Sequence, residues 1–380
     1  MKKVIFGTAL ASMALLSACS SDNELANVGT TASNAIGFHV VGNKAETRAT
    51  PITPANLTTT DFNVFAYKKN DKGADGEIFM GDNGLNHGLS GVTIKYKNEK
   101  WDYDNPADLH YWPKEGSLNF YAVSPASIPE GVTLYSWDIQ QETKTITYTC
   151  FDEYNVSNGN SNPDVMYAIT KDQTQSTQAG KVNLKFQHIL SQIVFQAKTV
   201  NSDMEVDIKE IKIKNFKIGG TFTIPTDGSS PSQSSWSSLG EVFKFSPFTV
   251  IKKTDADPIK ITGTEATDIS SKTPMLFVPQ PLTGWDVKHK IAEADTNGES
   301  YLIINCKIKQ KEDYLHGTKT QYENLYVPFG TSWEPGKRYI YTLIFGGGYN
   351  EQGQAILQPI NFNAEVGKWV DADTTIDVTK

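Results

Sequence analysis

Short runs in which apolar and polar residues alternate with a period of two recur along this chain from residue 36 to residue 366, and they constrain its fold more than any other feature. Ile36, Phe38 and Val40 fall on one face of the first run, with Gly37, His39 and Val41 on the other, the pattern of a strand with one face buried. Alternation or a short apolar run returns at 62–67, 92–96, 118–123, 145–149, 182–186, 189–197, 208–213, 242–251, 274–278, 300–308, 323–327, 338–345 and 356–366. Turn clusters such as Asn70-Asp71-Lys72-Gly73, Asn158-Gly159-Asn160, Thr226-Asp227-Gly228 and Asp295-Thr296-Asn297-Gly298 separate the runs. No window after residue 24 sustains an apolar stripe at helical spacing beyond a turn or two, so short connecting helices are all that is expected. Many short strands with Gly, Pro, Asn and Asp turns predict an all-β chain folded as sandwiches, with Ile193, Phe195, Phe277 and Tyr341 among the inward residues. No segment recurs at a fixed period, which excludes a solenoid or propeller.

The amino terminus has a separate logic. Lys2 and Lys3 precede an apolar run from Val4 to Leu16 that ends in Leu16-Ser17-Ala18-Cys19. The run is shorter than the ~20 residues that span a bilayer core as a helix, and the small residues before Cys19 suit a signal-peptidase pocket. Residues 1–18 are therefore read as a lipoprotein signal peptide and Cys19 as the lipidated residue, since two or more acyl chains give stable anchoring. Ser20-Ser21-Asp22-Asn23-Glu24 is similar to an acidic signal for export to the outer face of the outer membrane. Residues 19–34 are small and polar, as in a flexible tether.

Some 360 residues remain after the signal peptide, enough for two domains. The most polar, strand-poor stretch near the middle is 171–180, which places a boundary between 35–178 and 179–380. Against 35 Lys and Arg stand 43 Asp and Glu, with no basic block to neutralise phosphates, so nucleic acid is excluded as a partner. Besides Cys19 there are two cysteines, Cys150 and Cys306, without metal-ligand spacing; falling in different domains, they are expected as buried free thiols. The six histidines are scattered singly. No nucleophile elbow, phosphate loop or dinucleotide fingerprint is present, so no catalytic residue, cofactor or metal is expected. Asp71, Asp75 and Glu77 share a glycine-containing loop but lack the spacing of a calcium-binding loop, and a solvated hairpin is the better reading. The aromatics Trp101, Tyr103, Tyr111, Trp112, Phe120 and Tyr121, with His110, are read as core, and stacking of a glycan on exposed rings is the alternative. The serine-rich stretch 226–239 around Trp236 is expected as a surface excursion, too polar to bury.

Four strings in order, "WDYDNPADLHYWPKEGSLNFYAVSP" at 101–125, "LKFQHILSQIVFQA" at 184–197, "PMLFVPQPL" at 274–282 and "WEPGKRYIYTLIFG" at 333–346, together with the lipidation motif, resemble the fimbrillin family, subunits of the type V pili of Bacteroidota. The resemblance implies two tandem transthyretin-like β-sandwich domains, no enzymatic activity, and a surface-exposed outer-membrane lipoprotein that ends in a fimbrium. It also implies assembly by donor-strand exchange with other pilus subunits, after an Arg-specific protease removes the first strand. The chain has two arginines. Arg48, followed by Ala49, lies in a polar stretch just past the alternating residues Ile36, Phe38 and Val40, so these three become the displaced strand and Arg48–Ala49 the cleavage site. Arg338 stands in a turn leading into a strand, where folding should protect it. Loss of three to five apolar side chains at about 1.5–3 kcal/mol each removes on the order of 5–15 kcal/mol, comparable with a domain's whole stability. At the other end, Thr374, Ile376 and Val378 alternate with polar residues, which makes Ile376 and Val378 donor-strand candidates, with help from 356–366. Adhesion to a host or glycan ligand is part of the implied role. The alternative from another class is a surface lipoprotein that binds such a ligand through exposed aromatics without polymerising.

Overall fold

A computed structural model describes residues 34–41, 57–81, 91–126, 135–139, 142–150, 163–237, 247–270, 275–356 and 361–368. The fold is all-β. Among these residues the strands form six sheets, and the one α-helix described, α1 (Ile291–Asn297), is a seven-residue connection stopped by Gly298 at a φ of 71°. Glycine carries no Cβ penalty in that left-handed conformation.

The first large sheet has seven strands, in the order β11 (Gln187–His188), β9 (Met166–Gln173), β6 (Leu118–Ser124), β2 (Phe62–Lys69), β4 (Val92–Lys97) and β5 (Lys100–Tyr103), with β3 (Asp75–Met80) also paired to β2. Its central strand β6 is buried at every residue, and β2 at its first six. A strand packed on both faces cannot alternate apolar with polar, so these read as continuous apolar runs. The two faces are nonetheless distinct. Phe62, Val64 and Ala66 of β2, with Leu118, Phe120 and Ala122 of β6, enter a smaller core. Phe65 and Tyr67, with Tyr121 and Val123, enter a larger one.

The smaller core is roofed by a two-stranded parallel sheet, β1 (Gly37–Val41) and β10 (Lys181–Lys185). The opposite face meets a four-stranded sheet in the order β15 (Trp236–Ser237), β14 (Gly219–Thr223), β8 (Thr145–Thr149) and β7 (Tyr135–Asp138). Beyond it, β12 (Ser191–Thr199) and β25 (Lys337–Phe345) form the parallel centre of a five-stranded sheet, flanked by β18 (Thr267–Asp268), β19 (Met275–Phe277) and β26 (Asn361–Lys368). A six-stranded sheet is built on β13 (Met204–Lys214) and β21 (Tyr301–Gln310), with β16 (Phe248–Lys252), β17 (Ile259–Ile261), β22 (Asp313–His316) and β23 (Glu323–Pro328). The last is the short pair β20 (Pro281–Leu282) and β24 (Thr331–Ser332). Ile193, Phe195, Phe277 and Tyr341 are fully buried between the five- and six-stranded sheets' apolar faces, and the Phe277 and Trp333 rings stack at 5.6 Å.

The chain leaves the first large sheet at His188 and enters the next at Ser191, slightly later than the 178/179 boundary expected from polarity. Strand β14 lies beyond that point yet pairs along its length with β8, from Gly219 opposite Thr149 to Thr223 opposite Thr145. One continuous apolar core therefore runs from Phe65 to Phe345, and the described residues cluster as one compact unit.

Trp236 is placed differently from the expectation. It is 6% exposed, its indole N–H donates to the Ile189 carbonyl at 3.0 Å, and its ring packs on Phe222 at 5.4 Å. The polar stretch is a loop anchored by one large residue, since a buried indole with its N–H satisfied outweighs the serines around it.

Candidate functional site: the first strand and its groove

Strand β1 exists because one polar/apolar alternation has both a ladder partner and a pocket. It runs parallel to β10 in the register Gly37 to Lys181, Phe38 to Val182, His39 to Asn183, Val40 to Leu184 and Val41 to Lys185. Among the described residues β10 has no other ladder partner. Its Asn183 carbonyl accepts from the Thr170 hydroxyl of β9 at 2.5 Å, a side-chain tie to the first large sheet.

The apolar face of β1 points into the smaller core, as the sequence predicts. Ile36 and Phe38 are buried, Val40 is half-buried against the same cluster, and His39 is exposed. Three rings surround Phe38 edge-on: Tyr103 at 5.8 Å, Phe120 at 6.4 Å and Phe62 at 6.5 Å. Edge-to-face contacts at these separations add to simple burial.

The start of the strand is laced to a neighbouring segment. The Ile36 amide donates to His110 O at 2.9 Å, the Trp112 amide donates to Asn34 O at 2.8 Å, and the Asn34 side-chain amide donates to Trp112 O at 3.3 Å. The Tyr103 hydroxyl donates to Ile36 O at 3.0 Å, and the Trp112 indole donates to Gly180 O at 3.1 Å, just ahead of β10. Burial pushes the Tyr103 hydroxyl pKa upward, so it stays a donor at neutral pH. The seat of β1 is thus apolar in its floor and hydrogen-bonded at its mouth.

Arg48 and Ala49 lie outside the described residues, as do Cys19, Ile376 and Val378. Arg338 is in β25, between Gln192 of β12 and Gly367 of β26, with backbone ladders on either side. Its guanidinium pKa is lowered by burial, partly countered by Asp268. A protease needs an extended, unpaired segment, so Arg338 is shielded while the sheet is intact. Strand β26 holds much of the expected 356–366 run and lies antiparallel along β25 at the edge of its sheet.

The other candidate residues take structural roles. Trp112 and Trp236 are buried, and Trp101 is half-buried against Phe62 at 5.0 Å and Tyr96 at 5.4 Å, so these three tryptophans form no exposed patch. Tyr111 stands exposed. The Asp75 carboxylate is occupied by protein partners, and Glu77 pairs with Lys68 at 3.2 Å on the surface. No cluster of metal-binding side chains occurs among the described residues. Cys150 and Cys306 are buried free thiols, and burial pushes the Cys150 pKa up to about 12. Sequence reasoning gave the face of β1 but not its partner, because the parallel pairing joins segments over a hundred residues apart.

Three comparisons bear on this arrangement. A family profile described as fimbrillin-like matches residues 47–369. The fimbrium subunit Fim1C of Phocaeicola vulgatus is 28% identical over 187 residues, a match that spans 46% of this chain and 46% of that relative, less than half its length. A crystal structure of a fimbrial protein from Bacteroides vulgatus aligns with a TM-score of 0.59 at 16% identity, covering 88% of this chain and 99% of that one, a likeness of fold.

Proposed function

The chain belongs to the fimbrillin-like family, and from that membership we propose that it is a structural, non-enzymatic subunit of a type V pilus with a role in adhesion. It is exported as a lipoprotein acylated on Cys19, carried to the outer face of the outer membrane, and cut between Arg48 and Ala49 by an Arg-specific protease. The cut releases the tether together with Ile36, Phe38 and Val40. A strand from a neighbouring subunit, the same protein or a related fimbrillin, then occupies the slot, with Ile376 and Val378 of this chain offered in turn to the next subunit.

The observation that carries this reading is the seating of β1. It is the sole ladder partner of β10 among the described residues, and it fills a ring-lined pocket with Phe38. Removing it uncovers Ile36, Phe38 and Val40 at about 1.5–3 kcal/mol for each fully buried side chain, and leaves a row of backbone groups on β10 unpaired. An extended segment with alternate apolar side chains satisfies both needs at once, which is the physics of β-strand addition. The family match also begins at residue 47, beside Arg48 and past β1. Electron microscopy of surface filaments on cells with and without this protein tests the reading. Filaments that are lost, shortened or altered in its absence support it, and unchanged filaments with the protein only as surface monomer contradict it.

A further inference from the structure

A buried constellation away from the first strand is built for a different chemistry. Asp75 opens β3, Asn119 and Tyr121 project from the same side of β6, Tyr67 of β2 sits opposite Asn119, and Lys144 stands immediately before β8. The Lys144 ammonium lies 2.9 Å from Asp75 Oδ2, and the Asn119 side-chain amide donates to Asp75 Oδ1 at 2.8 Å. An amine and a carboxamide are therefore held on the two oxygens of one carboxylate. Lys144 and Asn119 are each about 2% exposed. The Lys144 nitrogen rests over the Tyr121 ring at 4.6 Å and the Tyr67 ring at 4.8 Å, and the Tyr121 hydroxyl donates to Asp75 Oδ2 at 2.8 Å.

The carboxamide oxygen has its own donor. The backbone N–H of Asp172, at a φ of 58°, donates to Asn119 Oδ1 at 3.0 Å. That bond draws electron density from the amide carbon and awaits negative charge on the oxygen, as an oxyanion donor does. Nucleophile, proton acceptor, electrophile and oxyanion donor are thus assembled in one place, with Lys144 and Asn119 buried and the Asp75 side chain 21% exposed. Fixed juxtaposition of this kind replaces a very high effective concentration of reactants.

We propose that the folded chain joins Lys144 to Asn119 through an intramolecular isopeptide bond. A proton passes from Lys144 Nζ to the Asp75 carboxylate, and the free amine attacks Asn119 Cγ while Asp172 N–H holds the developing oxyanion. Collapse breaks the Cγ–Nδ2 bond as Asp75 returns its proton to Nδ2. The remaining extra proton on Nζ leaves with the ammonia as ammonium, and Asp75 ends as a carboxylate. One C–N bond forms, one breaks, and no electrons are transferred to or from another reactant. Burial raises the Asp75 pKa, but hydrogen bonds from Lys144, Asn119 and Tyr121 more than offset it and keep the group an ionised acceptor for all three donors until Lys144 hands over its proton.

The bond staples β6 of the seven-stranded sheet to the start of β8 in the four-stranded sheet. The Lys144 end is already anchored, since its carbonyl accepts from the Ile224 amide at 2.9 Å. A covalent tie across two packed sheets resists their separation under tension along a filament, whichever strand fills the β1 slot.

Intact mass of the purified, denatured full chain decides the matter, using the Cys19→Ala form so that no lipid adds mass. The expected mass is below that of the sequence by one ammonia, with a branched tryptic peptide joining the segment of Asn119 to that of Lys144. Lys144→Arg and Asn119→Ala should each restore the sequence mass and abolish the branch. The unmodified sequence mass overturns the proposal. So does a loss of one water with the branch at Asp75, or a loss of ammonia without any branched peptide, which is cyclisation at an asparagine.

Discussion

The Tyr103 hydroxyl donates to the Ile36 main-chain carbonyl at 3.0 Å while the Tyr103 ring lies edge-on to Phe38 at 5.8 Å, so one side chain holds both the backbone and the apolar face of the first strand. Tyr103→Phe separates the two contacts. It keeps the ring and leaves the Ile36 carbonyl short of a partner, at a net cost of about 1 kcal/mol. Hydrogen exchange should quicken at the amides of 36–41 and stay unchanged in β12 and β25, and uniform exchange across both regions contradicts the assignment.

Phe38→Ala empties the pocket formed by Tyr103, Phe62 and Phe120. The expected loss in urea denaturation of the uncut protein is about 3–5 kcal/mol, the range for a buried Phe truncated to Ala. The same substitution should have no effect on subunits already cut after Arg48 and filled by a donor, because residue 38 has then left. A loss under about 1 kcal/mol in the uncut protein shows that the pocket does not hold the strand.

Trp236→Ala removes a buried ring and the donor to Ile189 O, with an expected cost of about 3–5 kcal/mol. Trp236→Phe retains part of the packing on Phe222 and should cost less. Neither variant should alter retention on immobilised glycans. A loss of glycan retention with unchanged stability instead supports an exposed binding role for the aromatics.

Alkaline stability follows from the thiols and buried tyrosines. Burial raises Cys150 from 9.0 to about 12, and Tyr339 and Tyr341 from 10.0 to about 12. In this window the unfolded chain has lost protons that the folded chain keeps, so stability is full below pH 9 and falls as pH rises from about 9 toward 12. Cys150→Ala should reduce the slope above pH 9. Iodoacetamide at pH 8 should leave Cys150 and Cys306 unmodified until denaturant is added, and rapid modification of the folded protein contradicts their burial.

The period-two pattern located most central strands within a residue or two, among them 62–67 in β2, 118–123 in β6, 189–197 in β12 and 338–345 in β25. These runs are strongly apolar, and burial on two faces leaves little freedom in their assignment. Strands at sheet margins escaped notice, as with Asp75–Met80 and Lys100–Tyr103, whose outward residues are polar or charged. Average polarity also hid Trp236, where one indole decides the packing of a serine-rich loop. The seat of β1 was half legible: alternation at Ile36, Phe38 and Val40 gave the buried face, whereas the parallel ladder to 181–185 depends on tertiary pairing that no local pattern encodes. The meeting of Asp75, Asn119 and Lys144 was likewise invisible, because three elements distant in sequence supply the three groups.

If β1 plugs its own subunit until a cut at Arg48 vacates the slot, as proposed, brief treatment of the purified uncut protein with an Arg-specific protease, followed by native size analysis, should reveal it. The expected outcome is a stable monomer before the cut, release of residues 19–48 with the lipid, and conversion of the remainder into higher oligomers, while Arg48→Ala stays uncut, folded and monomeric. A cut protein that remains monomeric at high concentration, together with filaments that still contain the Arg48→Ala subunit on cells, would contradict it.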